Sequence, residues 1–273
     1  MRTTWIVCLL VAGVLCGLPS GSDAGNLSIP GTGACEPVLK SVAAAYERAR
    51  PMARVAIPPS IHSEGGIRQV ITGKAVLARV SRPLTREEAA KKLTYRAFAR
   101  DAAVFAVGSG VRARGFTIRQ IVDIFSGKVT RWEELAAGKG PIRVLIREQG
   151  DASLRALMSH YPEIRDLRFT THGKILYRDL EMVDMLQKYR NSIGFATMTS
   201  LGATSAAVTP LAIDGIAPTK ESISSGRYPV VVEYALVYRE DTLTREASDF
   251  LDFLFSRAGR DALSDCGLSP AER

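Results

Sequence analysis

Three consecutive stretches decide how this chain is read: Ala53-Arg54-Val55-Ala56-Ile57, then Ser63-Glu64-Gly65-Gly66-Ile67-Arg68-Gln69-Val70-Ile71-Thr72-Gly73, then Ala75-Val76-Leu77-Ala78-Arg79-Val80. The outer two are short apolar runs between proline, glycine and polar punctuation, which predicts strands. The middle run opens on a serine and a glycine pair and closes on Gly73, which predicts a short helix over 67–72, started by 63–66. Strand, helix and strand in this order place the helix N-terminus at the carboxyl edge of the strands, where α/β proteins bind ligands. A helix N-terminus carries unpaired N–H groups and about half a positive charge, so it attracts anions without a metal.

The same alternation continues on both sides. Residues 27–29 form a predicted strand that runs into a second glycine turn, Gly31-Thr32-Gly33-Ala34. A helix over 37–48 follows, with Val38, Leu39, Val42, Ala43 and Tyr46 at three- and four-residue spacing. Downstream, 85–98 reads as a helix with its charges on one side, and 102–107 as a buried strand broken by Gly108-Ser109-Gly110. A second set comprises a helix over 117–125, a strand over 142–146, helices over 152–161 and 182–189, and a strand over 193–196. The chain closes with a strand over 231–238 and an amphipathic helix over 245–263. The fold class is therefore α/β with largely parallel sheets. Breaks at 108–110 and 203–207 bracket a middle segment that could form its own lobe.

The N-terminus is set apart from this pattern. Met1-Arg2 supplies a small positive region, residues 6–18 an apolar run, and Ser22-Asp23-Ala24 a small-residue cleavage site. A signal peptide over 1–24, cleaved after Ala24, is expected. The run is shorter than the ~20 residues a membrane-spanning helix needs, and bulky Leu15 before Cys16 disfavours a lipoprotein. The mature chain is long enough for one large domain or two lobes. Its 46% hydrophobic and 23% charged residues describe an ordinary globular protein. The net charge of +8 suits anionic partners, but the basic residues are scattered without aromatic interleaving, which argues against nucleic acid. Cys35 and Cys266 are the cysteines left after cleavage, and they either bridge the two ends or remain separate thiols. No Cys-x-x-Cys, zinc spacing, Gly-x-Ser-x-Gly, His-Glu-x-x-His or Walker loop occurs, so no metal, cofactor or catalytic apparatus is expected.

Taken in order, several of these pieces resemble the PstS-type phosphate-binding proteins of bacterial phosphate ABC transporters. They are Gly31-Thr32-Gly33-Ala34, the run Ser63-Glu64-Gly65-Gly66-Ile67-Arg68-Gln69-Val70, the loop Val80-Ser81-Arg82-Pro83-Leu84, and Arg147-Glu148-Gln149-Gly150-Asp151-Ala152-Ser153. The stretch Ile124-Phe125-Ser126-Gly127-Lys128-Val129-Thr130-Arg131-Trp132 is the most specific match and a marker of the family rather than a ligand site. The resemblance implies a two-lobed, type II periplasmic-binding-protein-like fold, each lobe a mixed sheet flanked by helices, with a hinge between lobes. Residues 25–106 and 208–273 would make lobe 1, and 107–207 lobe 2. It further implies a periplasmic monomer, without enzymatic activity, that captures phosphate or a related oxyanion and delivers it to ABC permease subunits.

The ligand set implied by the resemblance is Gly33, Ala34, Cys35, Ser63, Arg82, Arg147 and Ser153. Ser63 either donates to the anion or simply caps its helix. Arg147 follows an apolar strand, where a guanidinium can grip an oxyanion with two parallel hydrogen bonds, or it pairs with Glu148 or Asp151. Two residues depart from the pattern. Arg82 stands where some phosphate-specific members have an aspartate, and it cannot accept a hydrogen bond. Asp151 replaces a serine, and its carboxylate either caps the next helix or takes the anion's place. An alternative function follows: an envelope interaction or sensing protein that keeps the fold but has lost tight phosphate binding.

Overall fold

The computed structural model describes residues 26–202 and 207–271. The expected signal peptide and its cleavage after Ala24 lie outside the described residues, as does most of the 203–207 break. Among the described residues no helix is long and apolar enough to cross a membrane.

The strands are β1 (Asn26–Ser28), β2 (Arg54–Ala56), β3 (Leu77–Val80), β4 (Thr94–Val107), β5 (Gly115–Phe116) and β6 (Arg143–Arg147). They continue with β7 (Lys174–Leu176), β8 (Ser192–Thr197), β9 (Thr209–Pro210), β10 (Ala212–Ile213), β11 (Val231–Tyr238) and β12 (Ser269–Pro270). The helices are α1 (Glu36–Ala49), α2 (His62–Ile71), α3 (Arg86–Ala89), α4 (Ile118–Phe125), α5 (Ala152–His160) and α6 (Pro162–Arg165). After them come α7 (Asp179–Lys188), α8 (Met198–Gly202), α9 (Lys220–Ser224), α10 (Arg245–Leu254) and α11 (Arg257–Asp265).

The main sheet runs β3-β11-β4-β8-β6-β7, with β9 and β12 added on β4. Parallel pairs β1–β2, β6–β8 and β6–β7 follow the βαβ logic of the sequence. A parallel bridge from Gly31 to Arg79 sets β1 beside β3, so the helix starts after β1 and β2 point to one edge. The expectation of largely parallel sheets needs correction, because β11 pairs antiparallel with both β3 and β4, and β4 pairs antiparallel with β8. The half made of β4, β8, β6 and β7 is mixed, whereas β3, β11, β12 and the first part of β4 pair with one another only antiparallel.

The expected helix over 85–98 also fails. Only Arg86–Ala89 is helical, stopped by Lys92 at φ 57°, and Thr94 begins a strand of 14 residues. The residues at 94–102 carry too little apolar periodicity to announce a strand, and the pairing with β11 decides it. The C-terminal helix divides at Ser256, whose hydroxyl accepts from Gly259 N and starts α11. By contrast β11 occupies the predicted 231–238, and α4 ends at Phe125 as predicted.

The long β4 joins the two halves of the molecule. Its first part, to Ala102, pairs with β11, and its second part, from Ala103, pairs with β8. Asp101 stands at this crossing, fully desolvated. It accepts from Thr199 N at 3.3 Å and from the Tyr234 hydroxyl at 3.1 Å, and burial raises its pKa. On the far side, Phe105, Phe125, Phe195 and Trp132 fill the core between β4, β8 and α4. The family-marker stretch thus supplies packing: Trp132 is buried, and its Nε1 donates to Asn191 O.

Candidate functional site

Gly31 must be glycine. A Cβ there would meet Arg79 O at 1.9 Å, and its φ is 142°. α2 presses on the same point, since a Cβ on Gly66 would lie 2.8 Å from Gly31 Cα. The loop is braced from below by Arg79, which is fully buried. Its Nε donates to Thr32 O at 2.7 Å, Nη2 to Pro58 O at 2.7 Å, and Nη1 to Ile29 O. Holding a guanidinium on three carbonyls satisfies both parties, and Thr32 N donates back to Arg79 O at 3.0 Å, which pins the loop and its hydroxyl face.

On that face three hydroxyls form a row. Thr32 Oγ1 lies 3.0 Å from Ser81 Oγ, and Ser81 Oγ lies 3.4 Å from Ser63 Oγ. All three residues are buried. Ser63 is not a plain N-cap: α2 begins at His62, Ile61 is the N-cap, and Ser63 Oγ accepts from Ser81 N at 3.1 Å. Ala34 N donates to Thr32 Oγ1 at 3.4 Å, where α1 begins.

The opposite wall comes from the end of β6 and the starts of α5 and α7. Arg147 is buried. Its Nη2 is 2.9 Å from Asp151 Oδ2, and its Nη1 is 3.4 Å from Asp179 Oδ1. Asp151 also accepts from Leu154 N at 2.9 Å, so it caps α5 and pairs with Arg147 at once. Ser153 follows in the first turn of α5, buried, and its Oγ has no hydrogen-bond partner; neither have Arg147 Nε and Nη1. Buried polar atoms left in this condition are rare and need an explanation. The two walls face one another: Asp179 Oδ2 lies 3.8 Å from the point where a Gly33 Cβ would stand, and His62 Nδ1 lies 3.6 Å from Glu148 Oε1.

Electrostatics favour a carboxyl that can hold a proton. Burial lifts Asp179 from 3.8 to about 6 despite the opposing pull of Arg147, and Asp151 is raised for the same reason. With both ionised, one guanidinium faces two carboxylates. With one protonated, the wall is neutral and offers an O–H donor.

The structure thus sets Gly33 beside Asp179, the ion-pair partner of Arg147, and Ser63 beside Ser81 and Thr32, with Ala34 next to Gly33 and Ser153 in the turn that Asp151 caps. Cys35 and Arg82 stand apart in different ways. The Cys35 thiol is fully buried in the core, and desolvation pushes it up to about 12, so it remains a neutral S–H. It and Cys266 are free thiols, which settles the open disulfide question against a bridge. Arg82 is clamped by Glu88 through two contacts of 2.6 and 2.7 Å, and this pair holds Glu88 down to about 2. It lines the cleft mouth beside Arg155, whose guanidinium is lowered first by burial and then by Arg82.

Sequence reasoning missed Thr32, Ser81 and Asp179. Thr32 and Ser81 lay inside motifs already singled out, and their polar type at the ends of apolar strands was the available signal. Asp179 carried none, since the helix was expected to begin at 182. Among the described residues no group of His, Cys, Asp or Glu is gathered as a metal site requires.

Known proteins similar to this chain include phosphate-binding proteins. A curated relative, the phosphate-binding protein PstS of Borreliella burgdorferi, is 22% identical over 254 residues, covering 88% of each chain. The PstS of Bacillus subtilis is 25% identical over 234 residues, covering 85% of this chain and 76% of its own. Among solved structures, a Clostridium perfringens substrate-binding protein with bound phosphate superposes with a TM-score of 0.80 at 27% identity, covering 91% of this chain and 100% of that one. The PBP superfamily domain matches residues 18–258, so the chain belongs to the PBP superfamily of two-lobed α/β proteins and is similar, within it, to PstS-type phosphate-binding proteins.

Proposed function

We propose that this chain is an exported binding protein that captures phosphate, or a closely related oxyanion, between two lobes and presents it to an ABC permease. In this reading 25–106 with 208–273 forms lobe 1, 107–207 forms lobe 2, and β4 carries the hinge. What supports the proposal is the row of Thr32, Ser81 and Ser63 hydroxyls on one wall and the buried Arg147 and Ser153 on the other, with Gly33 and Asp179 close to each other between them. Ser153 Oγ and Arg147 Nε are donors without a hydrogen-bond acceptor, and Nη1 has only the 3.4 Å ion-pair contact with Asp179, so a tetrahedral oxyanion would supply what they lack. In this reading the starts of α1, α2 and α5 flank the anion, so their N–H groups add partial positive charge. Closure is favoured because only the closed arrangement lets both walls engage the anion. The protein acts as a monomer in the periplasm, and nothing in this role requires turnover. The neutral, core-packed Cys35 offers no nucleophile to a catalytic alternative.

A second reading rests on a specific observation, the two buried carboxylates set against Arg147. If these satisfy the guanidinium, the protein keeps the fold as an envelope sensing or interaction module without tight phosphate binding. Calorimetric titration separates the two. One-site heat with phosphate, reduced by Ser153→Ala, supports capture. No heat and no thermal shift at millimolar phosphate, at pH 5 as well as pH 7.5, sinks it.

A further inference from the structure

At the far edge of lobe 2, away from the cleft, lies a concave cavity of about 1130 Å³. Arg143 opens β6, whose other end is Arg147, so the cavity sits roughly 13 Å from the cleft along that strand. Six cationic side chains line it: Arg112, Lys139, Arg143, Lys174, Lys188 and Arg190. All are exposed, and among the described residues none of the six makes an ion pair. This is unlike exposed cations elsewhere, such as Arg68 on Glu64 at 2.6 Å and Lys40 on Glu36 at 2.7 Å. The one carboxylate of the lining, Glu133, is already engaged, its Oε1 accepting from Gly140 N at 2.9 Å and from Arg131 at 3.1 Å.

We propose that this cavity is a second binding site, distinct from the cleft, for a linear chain of phosphates. Concentrating like charge in one hollow costs self-repulsion that a polyanion offsets. A concave hollow surrounds a thin chain more fully than it meets a flat bilayer. Of the two aromatic rings in the lining, Tyr189 already has the Arg143 guanidinium stacked 3.9 Å from its centroid, and the His172 imidazole alone is a small platform for a nucleobase beside six cations suited to phosphates. An extended acidic peptide shows a wall only every second side chain, one charge per roughly 7 Å. A phosphate chain shows charge on every unit, and the guanidinium forks of Arg112, Arg143 and Arg190 suit its oxygens.

The cavity's own charge makes this site, whatever the cleft binds. The test is calorimetric titration of the full mature protein with short-chain inorganic polyphosphate, in wild type and in the triple variant Arg143→Glu, Lys174→Glu, Arg190→Glu. The expected result is saturable binding at 50 mM salt that weakens about tenfold or more by 200 mM, as counterion release demands. The triple variant should lose it while its thermal midpoint and its response to orthophosphate stay those of wild type. Absence of binding at 50 mM salt overturns the proposal, as does binding that survives the three reversals. Equal affinity for poly-glutamate of matched length also overturns it, because the site would then read charge and not phosphate. Should the triple variant unfold, the milder Arg143→Gln, Arg190→Gln pair decides the matter by the same readings.

Discussion

The two walls of the cleft solve the same problem with different chemistry. The wall built on Gly31–Ala34, Ser63 and Ser81 is neutral, a row of hydroxyls and backbone amides whose geometry is held by Arg79 from behind. The wall built on Arg147, Asp151 and Asp179 is ionic and buried, and its members constrain one another. A neutral wall costs little to desolvate and is indifferent to pH. An ionic wall gains from each pair but carries a large desolvation cost, and it responds to protons.

The contrast is broken most severely by Arg147→Ala. Two carboxylates would remain buried without their cation, so stability should fall by about 3–5 kcal/mol, read as a lower urea midpoint at unchanged slope. An Arg147→Ala loss near zero would show that the wall hydrates freely. Next in size is Ser63→Ala. It leaves Ser81 N without its acceptor, and should cost about 1–3 kcal/mol in stability besides weakening anion binding. Ser153→Ala sharpens the comparison, because that hydroxyl has no protein partner. It should leave the urea midpoint near wild type while phosphate affinity drops about tenfold, the worth of one good hydrogen bond. Equal stability losses for the two serines would refute the distinction.

The pH response separates the walls at smaller amplitude. Asp179 has a folded pKa near 6 against an ordinary 3.8, so the folded protein holds the proton more tightly. Its contribution to stability is therefore present below about pH 4 and is lost as pH rises through about 6. In Asp179→Asn this part of the profile should flatten, measured as the difference in thermal midpoint between pH 5 and pH 7.5. Anion affinity should follow the same direction, stronger at pH 5, because protonation removes a negative charge beside the ligand. A profile identical in wild type and Asp179→Asn would place the titration elsewhere. The smallest effect is expected from Glu88→Gln, which frees Arg82 at the cleft mouth. About 1 kcal/mol of capping and pairing is lost, and phosphate association becomes faster at low salt.

Much of this was legible from residue order. Apolar runs between glycine and proline turns announced α1, α4 and β11, since each carries its own period and its own stop. Gly31, Gly66, Ser63, Arg147 and Ser153 were legible as a ligand edge because their types suit helix starts and strand ends. The division at Ser256 and the strand at 94–102 were not, since partner strands and neighbouring helices choose among locally acceptable conformations there. Arg79 read as one more strand residue, yet it braces the whole neutral wall through contacts from Ile29 to Pro58.

The sequence alone determined an α/β chain with anion-seeking helix starts, because hydrophobic period, glycine turns and capping residues act over a few neighbours. Only the tertiary structure decided which starts meet, that Asp151 caps and pairs at once, that Asp179 joins Arg147, and that six cations share one hollow. Those facts depend on burial and on distances between residues far apart in the chain, and neither desolvation nor Coulomb interaction can be assigned to a side chain until its surroundings exist.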